Sequence, residues 1–206
     1  MHQPEHPESS GRWTRARLLR TAVGGSALLA GAVATGVRGE GGTSVAAPST
    51  ESEREILNLF LLLERVQEAF YAKALRAGRL TGDLLEFAQT VGPQEAEHVA
   101  FLVDRLGSGA DQRPTPELPA EAMASPERFR DSAIELEELT IAAYIGQGGN
   151  LARGTTKVIA SVLAVEARQA AWVRDIAGIS PAPEAADPGR DPDEILDDLR
   201  SRGLIR

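Results

Sequence analysis

The chain has 206 residues, 42% of them hydrophobic and 25% charged, enough apolar content for one globular domain with appendages. It contains no cysteine, which excludes disulfides, thiolate metal sites and cysteine nucleophiles. With a formal net charge of −8, it should repel nucleic acid rather than bind it.

Residues 1–50 read as an export signal and linker. Arg12, Arg15, Arg17 and Arg20 precede a mildly apolar, glycine-rich run from Thr21 to Val37, the order of a basic n-region and an h-region. Arg38 interrupts the run short of the roughly 20 apolar residues a spanning helix needs, so membrane contact is expected only through the signal. Glycines at 24, 25, 31 and 36 would each cost roughly 1 kcal/mol inside a buried helix. The segment Thr14 to Arg20 resembles the twin-arginine consensus, with Ala16 where the second arginine would stand. Cleavage fits after Ala34 or within Ser44 to Ala47. Removing residues 1–47 takes away five of the 22 Lys+Arg and three of the 30 Asp+Glu, which leaves a body of net charge −10.

Residues 51–178 carry four helical patterns. The first, 51–77, has Thr50 or Ser52 as its cap, acids at 51, 53 and 55, and Gly78 past its last turn. Ile56, Leu59, Phe60, Leu63, Val66, Phe70, Tyr71, Ala74 and Leu75 form one arc at 100° per residue, and Glu64 falls inside it. Asn58, Arg65, Lys73 and Arg76 lie opposite, on what reads as a solvated face. The second pattern, about 81–106, contains Gly92-Pro93, where the missing N–H predicts a kink or a restart. Glu95 and His98 share the inward face with Phe87, Val91, Phe101, Leu102 and Leu106, whereas Glu97 points outward.

Residues 107–124 are rich in Gly, Pro, Ser and Ala and suit a crossover between two helical hairpins. A third helix starts at Ser125-Pro126-Glu127 and ends near Gly148-Gly149, with Glu137 central to its apolar arc. The fourth, about 152–177 with Gly178 as the residue past its end, is expected to bury Val158, Ile159, Val162, Leu163, Val173 and Ile176 around Glu166 and Gln169. Residues 179–206 form a proline-punctuated tail with a short helix capped at Asp191-Pro-Asp-Glu194. That tail is expected to pack on the bundle or form a contact, without chemistry of its own.

The halves repeat. Glu-x6-Tyr occurs as Glu64 to Tyr71 and as Glu137 to Tyr144. Glu-x-x-His/Gln followed by an aromatic occurs as Glu95-Ala-Glu-His-Val-Ala-Phe101 and as Glu166-Ala-Arg-Gln-Ala-Ala-Trp172. A spacing of three keeps both polar groups on one helix face, so two hairpins related by a pseudo-twofold axis would bring four carboxylates to one level of the core. Buried carboxylates without partners cost several kcal/mol each, and few cations fall in these arcs, Arg105 and Arg130 being the nearest candidates. A metal site is the natural solution, with Tyr71 and Tyr144 packing beside it and donating hydrogen bonds into it.

This pattern resembles the ferritin-like superfamily of carboxylate-bridged di-metal proteins, and in particular the exported bacterial ferritin-like domain proteins, over about residues 52–178. The resemblance implies an all-α fold: a ferritin-like four-helix bundle with a crossover connection between two helical hairpins, plus the short C-terminal helix. It implies metal ligation by Glu64 and His98 at one position, by Glu137 at a second, and bridging by Glu95 and Glu166. Gln169 stands where the full motif has a second histidine, so the second position should be weaker or empty. The expected metal is iron, with manganese as the alternative, and the expected chemistry is oxidation of Fe²⁺ by oxygen or peroxide. A metal-free structural or stress-associated bundle is the competing reading, favoured by Gln169. A manganese catalase-like enzyme is disfavoured because it needs a durable two-metal centre. The expected location is outside the cytoplasm, and assembly into a homo-oligomer is left open.

Overall fold

The computed structural model describes residues 50–112, 116 and 118–205; the export segment lies outside them. Among the described residues there are five α-helices: α1 Thr50–Ala77, α2 Gly82–Leu106, α3 Pro126–Gly148, α4 Arg153–Ile176 and α5 Pro192–Ser201. No strand occurs among the described residues.

Short turns join α1 to α2 and α3 to α4, which makes each pair an antiparallel hairpin. At the first turn Gly78 takes φ 64°, a left-handed conformation that costs a residue with a side chain more, and its N–H closes on the Leu75 carbonyl at 3.2 Å. Ser125 caps α3, its hydroxyl accepting from the Arg128 N–H at 3.3 Å, with Pro126 in the first turn.

The hairpins pack with α1 against α3 and α2 against α4. Phe60 stacks on Tyr144 and Phe70 on Phe129, so residue numbers rise along α1 as they fall along α3 and the two run antiparallel. Phe87 meets Trp172 near the start of α2, and Arg105 near its end meets Thr155 at the start of α4, which gives the same sense to that pair. The core between them includes Phe60, Phe70, Tyr71, Phe87 and Phe129, all essentially inaccessible to water. Each such side chain contributes about 1.5–3 kcal/mol through burial.

Three expectations are corrected. Of the kink or restart expected at Pro93, the restart does not occur: α2 is one helix through that residue. Pro93 and Gln89, whose carbonyl loses its donor, lie on the exposed face, where water can satisfy that carbonyl. Val158 is 40% exposed rather than buried, because the first turns of α4 turn Thr155 and Ile159 inward instead. The polar side of α1 is not simply solvated, because it clasps the crossover. Asn58 donates to the Gly109 carbonyl at 3.0 Å and accepts from the Asp111 N–H at 2.7 Å, Arg65 donates to the Asp111 carbonyl at 2.6 Å, and Lys73 donates to the Leu118 carbonyl at 2.5 Å. Two short 3₁₀ turns, Gly107–Gly109 and Ala120–Met123, punctuate that connection.

The tail docks on α3. Asp191 and Glu194 form the expected capping box of α5, and Ile195, Leu199 and Leu204 are buried. The Arg190 N–H donates to the Ala142 carbonyl at 3.0 Å, and the chain crosses α3 at Gly146, where a Cβ would meet the Arg190 carbonyl oxygen at 2.1 Å.

Candidate metal centre

Each helix of the bundle delivers one carboxylate to the interior: Glu64 from α1, Glu95 from α2, Glu137 from α3 and Glu166 from α4, all at 0% exposure. They are carried inward by the apolar residues one and two turns away on the same face. Around Glu64 these are Leu57, Phe60 and Tyr71, all buried. His98, one turn after Glu95, is 9% exposed and forms the side of the cluster closest to solvent. Glu97 is exposed, as its phase predicts.

The Nδ1 of His98 faces three carboxylates, with Glu166 Oε1 at 2.9 Å, Glu95 Oε2 at 3.2 Å and Glu64 Oε2 at 3.3 Å. One ligand atom from each of Glu64, Glu95, His98 and Glu166 lies within 4.8 Å of the others. A single ring N–H satisfies one acceptor well and cannot satisfy three. Among the described residues, no lysine or arginine pairs with these carboxylates. Arg105 instead meets Thr155 and Glu53, and Arg130 meets Asp131.

Glu137 is buried but stands outside that close quartet. Its Oε1 accepts from the Tyr71 hydroxyl, while the Tyr144 hydroxyl donates to Glu64 Oε1. The tyrosines thus cross between α1 and α3, each serving the other helix's carboxylate, as the pseudo-twofold repeat requires. Gln169 is also buried, and its Nε2 donates to Glu95 Oε1 at 2.8 Å and to Gln94 Oε1 at 3.0 Å. Glu137 Oε2, Glu166 Oε1 and Gln169 Oε1 have no hydrogen-bond partner, the approach of Glu166 Oε1 to His98 Nδ1 being an ion-pair contact.

Two polar contributors escaped the sequence reading. Gln67, at 0% exposure, donates to Glu166 Oε2 at 3.4 Å and accepts from the Thr140 hydroxyl at 2.8 Å. They follow Glu64 and Glu137 by three residues, and that spacing was the available signal: two uncharged polar groups inside otherwise apolar arcs.

Burial and mutual proximity both act against ionisation of these carboxylates. Burial pushes the Glu95 carboxyl well up, with the charges of Glu166 and Glu64 adding to the effect and His98 opposing it. Burial also raises Glu137 well above the usual carboxylate range, with Glu166 and Glu95 next in importance. Glu166 is raised to about 7, first by burial and then by Glu64. Burial works against a charged His98, but Glu166, Glu64 and Glu95 outweigh it and push its pKa up to about 12. Burial followed by the neighbouring Glu137 keeps Tyr71 protonated, and burial followed by Glu64 does the same for Tyr144.

The donor set fits a divalent transition metal. Carboxylate oxygens and one imidazole suit iron or manganese, and paired Glu plus Glu-x-x-His on facing helices is how four-helix bundles hold such ions. The partnerless oxygen of Glu137 and the crowding at His98 Nδ1 are what a cation would relieve. No curated protein matches the chain. The sequence model of the ferritin-like domain matches residues 52–178, the stretch that contains α2, α3, α4, all but the first two residues of α1 and every residue of the centre, and the chain belongs to the ferritin-like domain family.

Proposed function

We propose that this is an exported ferritin-like protein that binds iron at the Glu64, Glu95, His98 and Glu166 centre, takes Fe²⁺ as its substrate and oxidises it with oxygen or peroxide as electron acceptor. The observation that carries the reading is the convergence of three buried carboxylates on His98 Nδ1. Carboxylates are hard, anionic ligands that shift between coordination modes as the metal charge changes, so they suit an ion that cycles between +2 and +3. Iron supplies the redox chemistry. The chain's own residues supply charge compensation through the carboxylates, a nitrogen donor through His98, and fixed hydroxyl protons through Tyr71 and Tyr144. The aromatic layers on either side exclude water.

Domain stripped of metal and titrated anaerobically with Fe²⁺ should take up the ion and melt at a higher temperature, by several degrees at saturation well above the dissociation constant. Glu166→Gln should abolish that shift while raising the melting temperature of the stripped protein, because it removes one repelling buried charge. A purely structural carboxylate would behave in the opposite way.

The second reading, a metal-free bundle, is favoured by one observation. The His98 proton and the Gln169 amide already meet part of the carboxylate charge. Absence of Fe²⁺ uptake at millimolar concentration would select it.

A further inference from the structure

We infer that the centre holds one tightly bound metal ion per chain, with Gln67 and Gln169 as positioning residues that occupy the carboxylate oxygens a second ion would need. This rests on the metal-binding reading above and specifies its stoichiometry.

Glu95 and Glu166 divide their oxygens in the same way. Glu95 turns Oε2 to His98 Nδ1 at 3.2 Å and accepts from Gln169 Nε2 on Oε1 at 2.8 Å. Glu166 turns Oε1 to His98 Nδ1 at 2.9 Å and accepts from Gln67 Nε2 on Oε2, in a longer bond of 3.4 Å. A carboxylate that bridges two cations offers one oxygen to each. Here the second oxygen of both carboxylates meets the positive end of an amide dipole.

Neither amide is loosely placed. The Thr140 hydroxyl donates to Gln67 Oε1 at 2.8 Å and directs its nitrogen to Glu166, and Gln94 Oε1 takes the other contact of Gln169 Nε2 at 3.0 Å. Gln67 and Thr140 are at 0% and 1% exposure and Gln169 at 3%, so water scarcely competes. The partnerless Glu137 Oε2 and Gln169 Oε1 offer oxygen donors to a second ion. That ion reaches Glu95 and Glu166 only by displacing the two amides or by sharing each oxygen with an N–H that competes for its electron density. Hydrogen-bonding partners of metal ligands are commonly worth about 10- to 100-fold in affinity, so displacing two of them leaves the second position at least about 100-fold weaker than the first.

The test is a titration of the metal-stripped protein with Co²⁺, followed by its visible absorption and by equilibrium dialysis. The wild-type absorption should saturate at one equivalent. Gln67→Glu combined with Gln169→Glu deletes both N–H donors without changing shape and adds two oxygen donors, and should bring uptake to two equivalents. Gln169→His adds no fixed negative charge and folds under milder demands; it should add a second equivalent weaker than the first, because Gln67 still holds Glu166. Wild-type protein that fills two positions with affinities within about tenfold would overturn the inference, as would folded variants that both stop at one. Wild-type protein that takes up no Co²⁺ would instead overturn the metal-binding reading beneath it.

Discussion

The buried carboxylates decide how the metal-free centre responds to pH. Glu95, Glu137 and Glu166 all have folded-state values raised above the ordinary 4.5, Glu166 to about 7. An acid raised on folding binds its proton more tightly in the native state, so its stabilising effect is present below pH 4.5 and is lost as pH rises through the folded value. His98, raised from 6.5 to about 12, contributes stability that is fully present below 6.5 and is lost progressively as pH rises from there through the folded value, so it adds no slope below 6.5. Between about pH 4.5 and 7 the carboxylates therefore set the slope. Chelator-treated domain should melt at a lower temperature at pH 8 than at pH 5, and saturating metal should flatten or reverse that trend. A metal-free melting temperature that rises across this range would contradict the account of buried, mutually repelling carboxylates.

Among the elements, α1 has two working faces. Its apolar face carries Glu64 and Gln67 into the core, and its polar face binds the crossover through Asn58, Arg65 and Lys73. The crossover has few buried apolar residues, Ala110, Leu118 and Met123 among those described, so polar clasps carry much of its attachment. Asn58→Ala deletes two of them at once and leaves the Asp111 N–H without that acceptor. We expect a loss of about 1–3 kcal/mol in urea unfolding, with the metal stoichiometry unchanged. A change below about 0.5 kcal/mol, the usual limit for surface substitutions, would show that the connection is held by other contacts.

For the molecule as a whole, the tail is part of the folded unit. Its backbone crosses α3 where both chains lack a side chain: a Cβ on Gly189 would meet Gly146 Cα at 2.7 Å. Arg202 then ties α5 to Glu135 of α3. Gly146→Ala should force the 188–191 segment off α3, costing about 1–3 kcal/mol by overpacking and making the tail a preferred site of limited proteolysis. Delivery belongs to the same scale. We propose that residues 1–50 direct export, and a reporter fused to them should leave the cytoplasm. Replacing Arg15 together with Arg17 should stop it if a twin-arginine route is used, whereas transport that survives the double replacement would point to the general secretory route.

Much of this was legible in the sequence because facing inward is a property of one helix alone. A period of 3.6 put Glu64, Glu95, His98, Glu137, Glu166 and Gln169 on apolar faces, and each is buried. Repetition of Glu-x6-Tyr pointed to two tyrosine hydroxyls bonded to the site, and the structure adds that each crosses to the carboxylate of the other helix, α1 to α3 and α3 to α1. The same reasoning failed for Val158, where two faces near a helix end were both apolar enough to be chosen. It also missed that the polar side of α1 holds the crossover, since a partner from another segment leaves no period behind. What only the tertiary structure decided is which oxygen meets which donor. Glu137 outside the close quartet, Gln169 turned by its nitrogen toward Glu95, and Gln67 on Glu166 all depend on the axial offsets and rotations of four helices relative to one another. Those are set by packing across the whole core, and no single helix's sequence encodes them.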